Sequence, residues 1–150
     1  MRTTIFKTLF KICLLLSCMA VWSGCNDSDE WKQEGMEISC LLVKTVENGT
    51  IIEYPVKITP QLTLKKDNTF EGSAVINQIK GVYKYNNETF AFDDIKGTEL
   101  GSPDPAHSET ERMYIDYLRK VSSFKIETAT ILFYFGKDSY LEYELKSDIK

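Results

Sequence analysis
The chain has 150 residues, 18 basic and 22 acidic, for a formal net charge of −4. That length suits one domain with little room for a second, and 43% hydrophobic with 27% charged residues excludes wholesale disorder. The acidic balance excludes non-specific nucleic-acid binding, which needs Lys and Arg to displace counterions, and a single His with no cysteine pair at ligand spacing excludes the common zinc patterns. Met1 to Lys11 carries Arg2, Lys7 and Lys11 with no acidic residue, and Ile12 to Trp22 carries no charge. A basic stretch followed by a short apolar run is the arrangement of a secretory signal. The run falls short of the roughly 20 residues that a stable membrane span needs.

Trp22-Ser23-Gly24-Cys25 resembles the bacterial lipobox, in which small residues precede a cysteine that is acylated and becomes the mature N-terminus. Trp22 stands where an aliphatic residue is usual. Leu15-Leu16-Ser17-Cys18 is the alternative, with the better aliphatic residues but a truncated apolar run. Taking Cys25 makes residues 1–24 a signal peptide and residues 25–36 an acidic lipidated tether. Asn26, Asp27, Ser28, Asp29 and Glu30 are a solvated stretch behind the cysteine. They also look like the acidic export signal of Bacteroidota-type surface lipoproteins. The implied address is the cell envelope, as an outer-membrane lipoprotein held by palmitate-type acyl chains, with a periplasmic or surface-facing orientation left open. Cys13 and Cys18 leave with the signal, so Cys40 is then a lone thiol. Flanked by Ile38, Leu41 and Leu42, with no basic cluster or helix start beside it, it reads as a small buried hydrophobe.

Residues 37–150 read as one β-rich domain. Glu37 to Val46 is nearly continuous in apolar residues and ends at Glu47-Asn48-Gly49-Thr50, whose Asn-Gly is the strongest short hairpin signal. Ile51 to Ile58 is the predicted partner strand, with Pro55 demoting it toward an edge or bulge. Leu62 and Leu64 alternate before the turn Lys66-Asp67-Asn68-Thr69. Phe70, Gly72, Ala74 and Ile76 then share a face on which Gly72 and Ala74 predict close approach of another element. Gly81 to Tyr85, the turn Asn86-Asn87 and Thr89 to Phe92 follow, in the rhythm of an antiparallel meander that curls into a barrel or sandwich. After the breaker 101–105, Ser108-Glu109-Thr110-Glu111 forms a capping box ahead of Tyr114, Tyr117, Leu118 and Val121 at helical spacing. The predicted helix has Glu109 and Glu111 in its first turn and Arg119 and Lys120 in its last. Two strands close the chain, Phe124–Phe135 with a split near Glu127-Thr128, and Tyr140–Leu145.

The order of these elements, and the residues at their joints, resembles the META domain family, the group that includes the HslJ-type lipoproteins. The resemblance runs from Gln61 to Leu145. It is carried by Leu62 to Gly72, then Asn77, Gly81-Val82-Tyr83, the lone Thr98, Glu111 to Leu118 and Val121 to Ile126. Many members carry a cysteine before the Asn77-like position and another after the Thr98-like position; this chain has neither. The resemblance implies an α+β fold, mostly β: a strongly bent antiparallel sheet or partial barrel with one helix, from the C-terminal half, packed on it. It also implies a link to envelope stress or host interaction, with no catalytic residues carried over.

The candidate carboxylate pairs are Asp93-Asp94 at a strand end, Glu109 with Glu111 at the helix start, and Glu142 with Glu144 on a wet strand face; each has a structural reading. Asp93-Asp94 lacks the further oxygen ligands that Ca²⁺ needs. His107 reads as a solvated loop residue, and neither Ser102 nor Ser108 sits in a nucleophile elbow. No metal, cofactor or catalytic residue is expected, and the reading is a monomeric, non-enzymatic binding or accessory module. It meets the membrane through its lipid, and its candidate partners are an envelope protein or an apolar ligand. The alternative is a carrier of an apolar small molecule or lipid in a β cavity lined by Phe70, Tyr83, Phe90, Phe92, Phe133 and Phe135.

Overall fold
A computed structural model of the chain describes residues 37–86 and 89–146. The signal segment, Cys25 and the run Asn26, Asp27, Ser28, Asp29 and Glu30 lie outside the described residues. Along the described chain the elements are β1 (Ile38–Glu47), β2 (Thr50–Ile51), β3 (Gln61–Leu64), β4 (Thr69–Ser73), β5 (Gln78–Tyr85), β6 (Phe90–Gly97), α1 (Pro105–Lys120), β7 (Ser123–Ile126), β8 (Thr130–Gly136) and β9 (Ser139–Leu145). Every pairing is antiparallel, in the order β6-β5-β4-β3-β1-β9-β8-β7, with β2 beside β1. Over the described residues the fold is mostly β, a strongly curled half-barrel with one helix. Its two terminal strands meet at one corner, where the Phe90 amide donates to the Ser122 carbonyl at 3.1 Å.

Period-two alternation sets which side chains face in. On β5 Ile79 and Tyr83 are buried while Gln78, Lys80, Val82 and Lys84 are exposed, and on β9 Leu141 and Tyr143 are buried. The curl follows from glycines where strands crowd. A Cβ on Gly72 would collide with the Gln61 carbonyl oxygen, and one on Gly81 would lie 2.7 Å from the Asp93 oxygen and 2.8 Å from the Phe70 ring. A β-bulge beside Gly81, with Asp94 at φ 51°, sharpens the bend. Inside the curl, rings from both halves of the sheet meet: Phe90 lies 4.8 Å from Phe133 and 5.0 Å from Phe92, and Tyr83 stacks on Phe90 at 5.3 Å.

Three expectations are corrected. The hairpin turn stands, with Asn48 and Gly49 both at positive φ, but its second strand is only Thr50–Ile51. Beyond Ile52, whose amide still reaches the Thr45 carbonyl, the segment through Pro55 leaves the sheet and returns at Pro60. The strand expected through Ile76 stops at Ser73, because the Ala74 amide bonds the Asn77 carbonyl at 2.9 Å and closes a turn. The helix starts at Pro105, not after Ser108: Asp104 is its N-cap, accepting from the Ala106 amide at 2.9 Å, and the first turn holds no acidic residue. Pro105 is tolerated there because the first helical amide has no intrahelical acceptor.

Candidate functional site
Glu111 anchors the most elaborate polar site. The turn after β4 presents three successive backbone amides, Val75, Ile76 and Asn77, which donate to its Oε2 at 3.2, 3.1 and 3.0 Å. The Asn77 side-chain amide donates to Oε1. Asn77 Oδ1 in turn accepts from Thr98 Oγ1 and from the Leu100 amide, each at 2.8 Å, and Thr98 Oγ1 accepts from the Gln78 amide. Burial alone would push the Glu111 carboxyl up. The bonds from Asn77, Ile76 and Val75 outweigh it and hold the group below its ordinary value. Both oxygens are engaged, Oε2 by three backbone amides and Oε1 by the Asn77 side chain, and a carboxylate fixed and held low in this way is a weak base for proton abstraction. Its work is to tie α1 to the β4–β5 turn and the chain after β6.

The other candidates are separated by the fold. Asp93 pairs with Lys84 and Asp94 with Lys96, both at 2.7 Å, so neighbours in sequence serve different lysines. Glu142 pairs with Lys44 at 2.9 Å. Among the described residues no three His, Cys, Asp or Glu side chains converge as a metal site. His107, expected in a solvated loop, lies in the first turn of α1 and is half-buried, because the helix begins earlier than its capping box suggests. Its Nδ1 sits 2.8 Å from Ser102 Oγ, which also accepts from the Asp104 amide. The pair braces the helix start, and among the described residues no carboxylate bonds the ring to complete a triad. Cys40 is fully buried, and burial pushes its thiol up to about 12. The buried phenols of Tyr114 and Tyr143 satisfy each other at 2.7 Å, and burial raises both.

Of the rings expected to line a ligand cavity, Phe70, Tyr83, Phe90, Phe92 and Phe133 are buried against one another. They fill the interior. Phe135 lies apart from them, packed on Tyr117 of α1 at 5.0 Å. Open space lies instead on the outer face of β3–β6, a groove of about 730 Å³.

This architecture agrees with a direct comparison of sequences. The model of the META domain matches residues 41–148. The chain belongs to the META domain family. The match starts within β1, upstream of the Gln61 at which the resemblance in sequence begins. No curated protein matches the chain. The META domain here is similar to the NMR structure of a protein from Burkholderia xenovorans, with TM-score 0.62 and 17% identity over 73% of this chain and 82% of that one. It is also similar to a second protein's NMR structure, with TM-score 0.53 and 16% identity over 75% and 92%. A crystal structure of a duf4847 family protein from Bacteroides vulgatus ATCC 8482 aligns with TM-score 0.43 and 22% identity over 57% of each chain. At such identities the likeness to the two NMR structures is one of fold. Within this META domain, Asn77, Thr98 and Glu111, spread along the residues that carry the resemblance, form one hydrogen-bonded unit. The two segments where many members carry cysteines are joined here by the bonds of Asn77 to Thr98 and Leu100.

Proposed function
We propose that this protein is a lipid-anchored component of the cell envelope whose META domain acts without catalysis, as a binding or accessory module linked to envelope stress or host interaction. The observation that carries the non-catalytic reading is the engagement of both Glu111 carboxylate oxygens in hydrogen bonds within the fold. The carboxylate buried among the described residues joins helix to sheet through both of its oxygens, and the thiol of Cys40 is buried beyond reach. Support for the anchor comes from the sequence: a basic then apolar leader, the lipobox-like Trp22-Ser23-Gly24-Cys25 and the acidic tether after it. Acyl chains in pairs or threes anchor stably where one alone does not. In this reading Cys25 carries the acyl chains, residues 1–24 are removed, and the domain stands off the outer membrane as a monomer.

The test follows the lipid and the chemistry together. In a bacterial host given a labelled fatty acid, the wild-type chain takes up label and enters the detergent phase, and Cys25→Ser does neither. Label retained by Cys25→Ser assigns the anchor elsewhere, with Cys18 next in line. Screens with esters, peptides, glycosides and phosphoesters stay at background. Turnover that disappears in His107→Ala or Asp93→Ala overturns the non-catalytic reading.

A further inference from the structure
The outer face of β3–β6 carries a charge arrangement the fold does not use. Antiparallel register sets Thr63 opposite Glu71, Glu71 opposite Lys80, and Lys80 opposite Lys96, and directly paired residues share a face. Glu71 turns away to Lys65 at 2.6 Å and Lys96 to Asp94 at 2.7 Å. Lys80 is exposed and has no ionic partner among the described residues, although a second lysine stands directly across from it. Like charges in that relation destabilise a sheet. A neutral row runs beside this one: Gln61 opposite Ser73, and Ser73 opposite Gln78. The side chains of Ser73 and Gln78 are also without a partner among the described residues, and Gly97 adds no side chain between Lys96 and Thr98. The two rows floor the groove of about 730 Å³, and a second groove of about 330 Å³ continues past Lys80 and Lys96 along Gly81 and Val82. Both volumes fall within the roughly 300–1,000 Å³ of small-ligand sites.

We propose that this groove binds a small polar molecule through a single oxyanion, carboxylate or phosphate, seated on Lys80, with Lys96, itself paired with Asp94, alongside. Its neutral part is hydrogen-bonded by Ser73 and Gln78. Lysine is a compact point charge with rotatable donors, so it takes either oxyanion without demanding a planar fork. The bound anion supplies Lys80 with the counter-charge that Lys96 already has in Asp94, and eases the repulsion between the two lysines. Glu71, at the next position in the row, repels a second negative group and so sets the orientation. The proposal rests on the binding-module reading and gives it a ligand class.

The experiment titrates the full chain, in detergent, with inorganic phosphate, with glucuronate and with glucose, following backbone amide shifts. Phosphate or glucuronate shifts the amides of Ser73, Gln78, Lys80 and Gly97 and saturates, and whichever binds tighter identifies the oxyanion; glucose leaves them in place. Lys80→Gln weakens that binding about tenfold, the size of one charge-assisted hydrogen bond, and leaves amides outside the groove unmoved. With no anion added, Lys80→Thr raises the denaturation midpoint at low salt, and the gain shrinks as salt screens the pair. Silence with both anions, equal binding of glucose, or unchanged affinity in Lys80→Gln overturns the site. Those results remove this groove alone, whereas turnover of an added compound removes the binding-module reading instead.

Discussion

At Glu111 three backbone amides and a side-chain amide converge on one carboxylate, and all four favour its ionised form. Glu111→Gln puts an NH₂ group among donors and should cost about 1.5–3 kcal/mol of stability, the range for hydrogen bonds to charged groups. The sign of the pH dependence follows from the lowered carboxyl. Its folded-state value lies below the ordinary 4.5, so the contribution is complete above that pH and disappears as pH falls through the folded value. Urea midpoints of wild type and Glu111→Gln should therefore differ by a constant amount at neutral pH and converge in acid. Asp67, held low by Thr69, and Asp93, held low by Lys84, titrate in both proteins and cancel in the comparison. Cys40 gives a second test at this scale. With its thiol raised to about 12 by burial, iodoacetamide at pH 8 should leave the Cys40 peptide unmodified in native protein and alkylate it in denaturant, as read by peptide mass mapping.

Among the elements, the helix shows how a correct local pattern can point to the wrong boundary. Ser108 and Glu111 satisfy the capping-box spacing, but the Glu111 carboxylate is engaged by the β4–β5 turn, and Asp104 with Pro105 starts the helix a turn earlier. Asp104→Ala should cost about 0.5–2 kcal/mol. Exposed Ser108→Ala should stay within about 0.5 kcal/mol. Paired denaturant titrations decide between the two starts, and the reverse ranking would restore the later one. Its apolar stripe was readable in advance: Tyr114, Tyr117, Leu118 and Val121 are all buried. The hairpin is the complementary case. Asn48-Gly49 specifies the turn through its positive φ angles, yet no local rule says that the second strand ends at Ile51, ahead of Pro55.

Across the whole molecule, the curl brings rings from strands far apart in sequence to one point. Phe90 touches Tyr83, Phe92, Phe124 and Phe133, and its amide joins the two ends of the sheet through Ser122. Phe90→Ala should therefore cost about 3–5 kcal/mol, the range for emptying a packed aromatic site. Phe135→Ala, which removes a half-buried ring resting on Tyr117, should cost clearly less in the same urea titration. Equal losses would show that the curl does not depend on the central cluster.

What the sequence determined by itself was set by short-range physics. Period-two and helical alternation place most strands and the buried stripe of α1, Asn48-Gly49 and Asp67-Asn68 place turns, and Gly72 announces the close approach it makes to β3. The family resemblance, with its curled sheet and single helix, was legible in the order of these pieces. The tertiary structure alone decided the rest. The amide cradle of residues 75–77 has no side-chain signature, because its donors are backbone groups that any residue carries, and they converge only when α1 packs beside the turn. The groove was equally hidden. Lys80 and Lys96 are sixteen positions apart, and it is the register of β5 on β6 that sets them face to face.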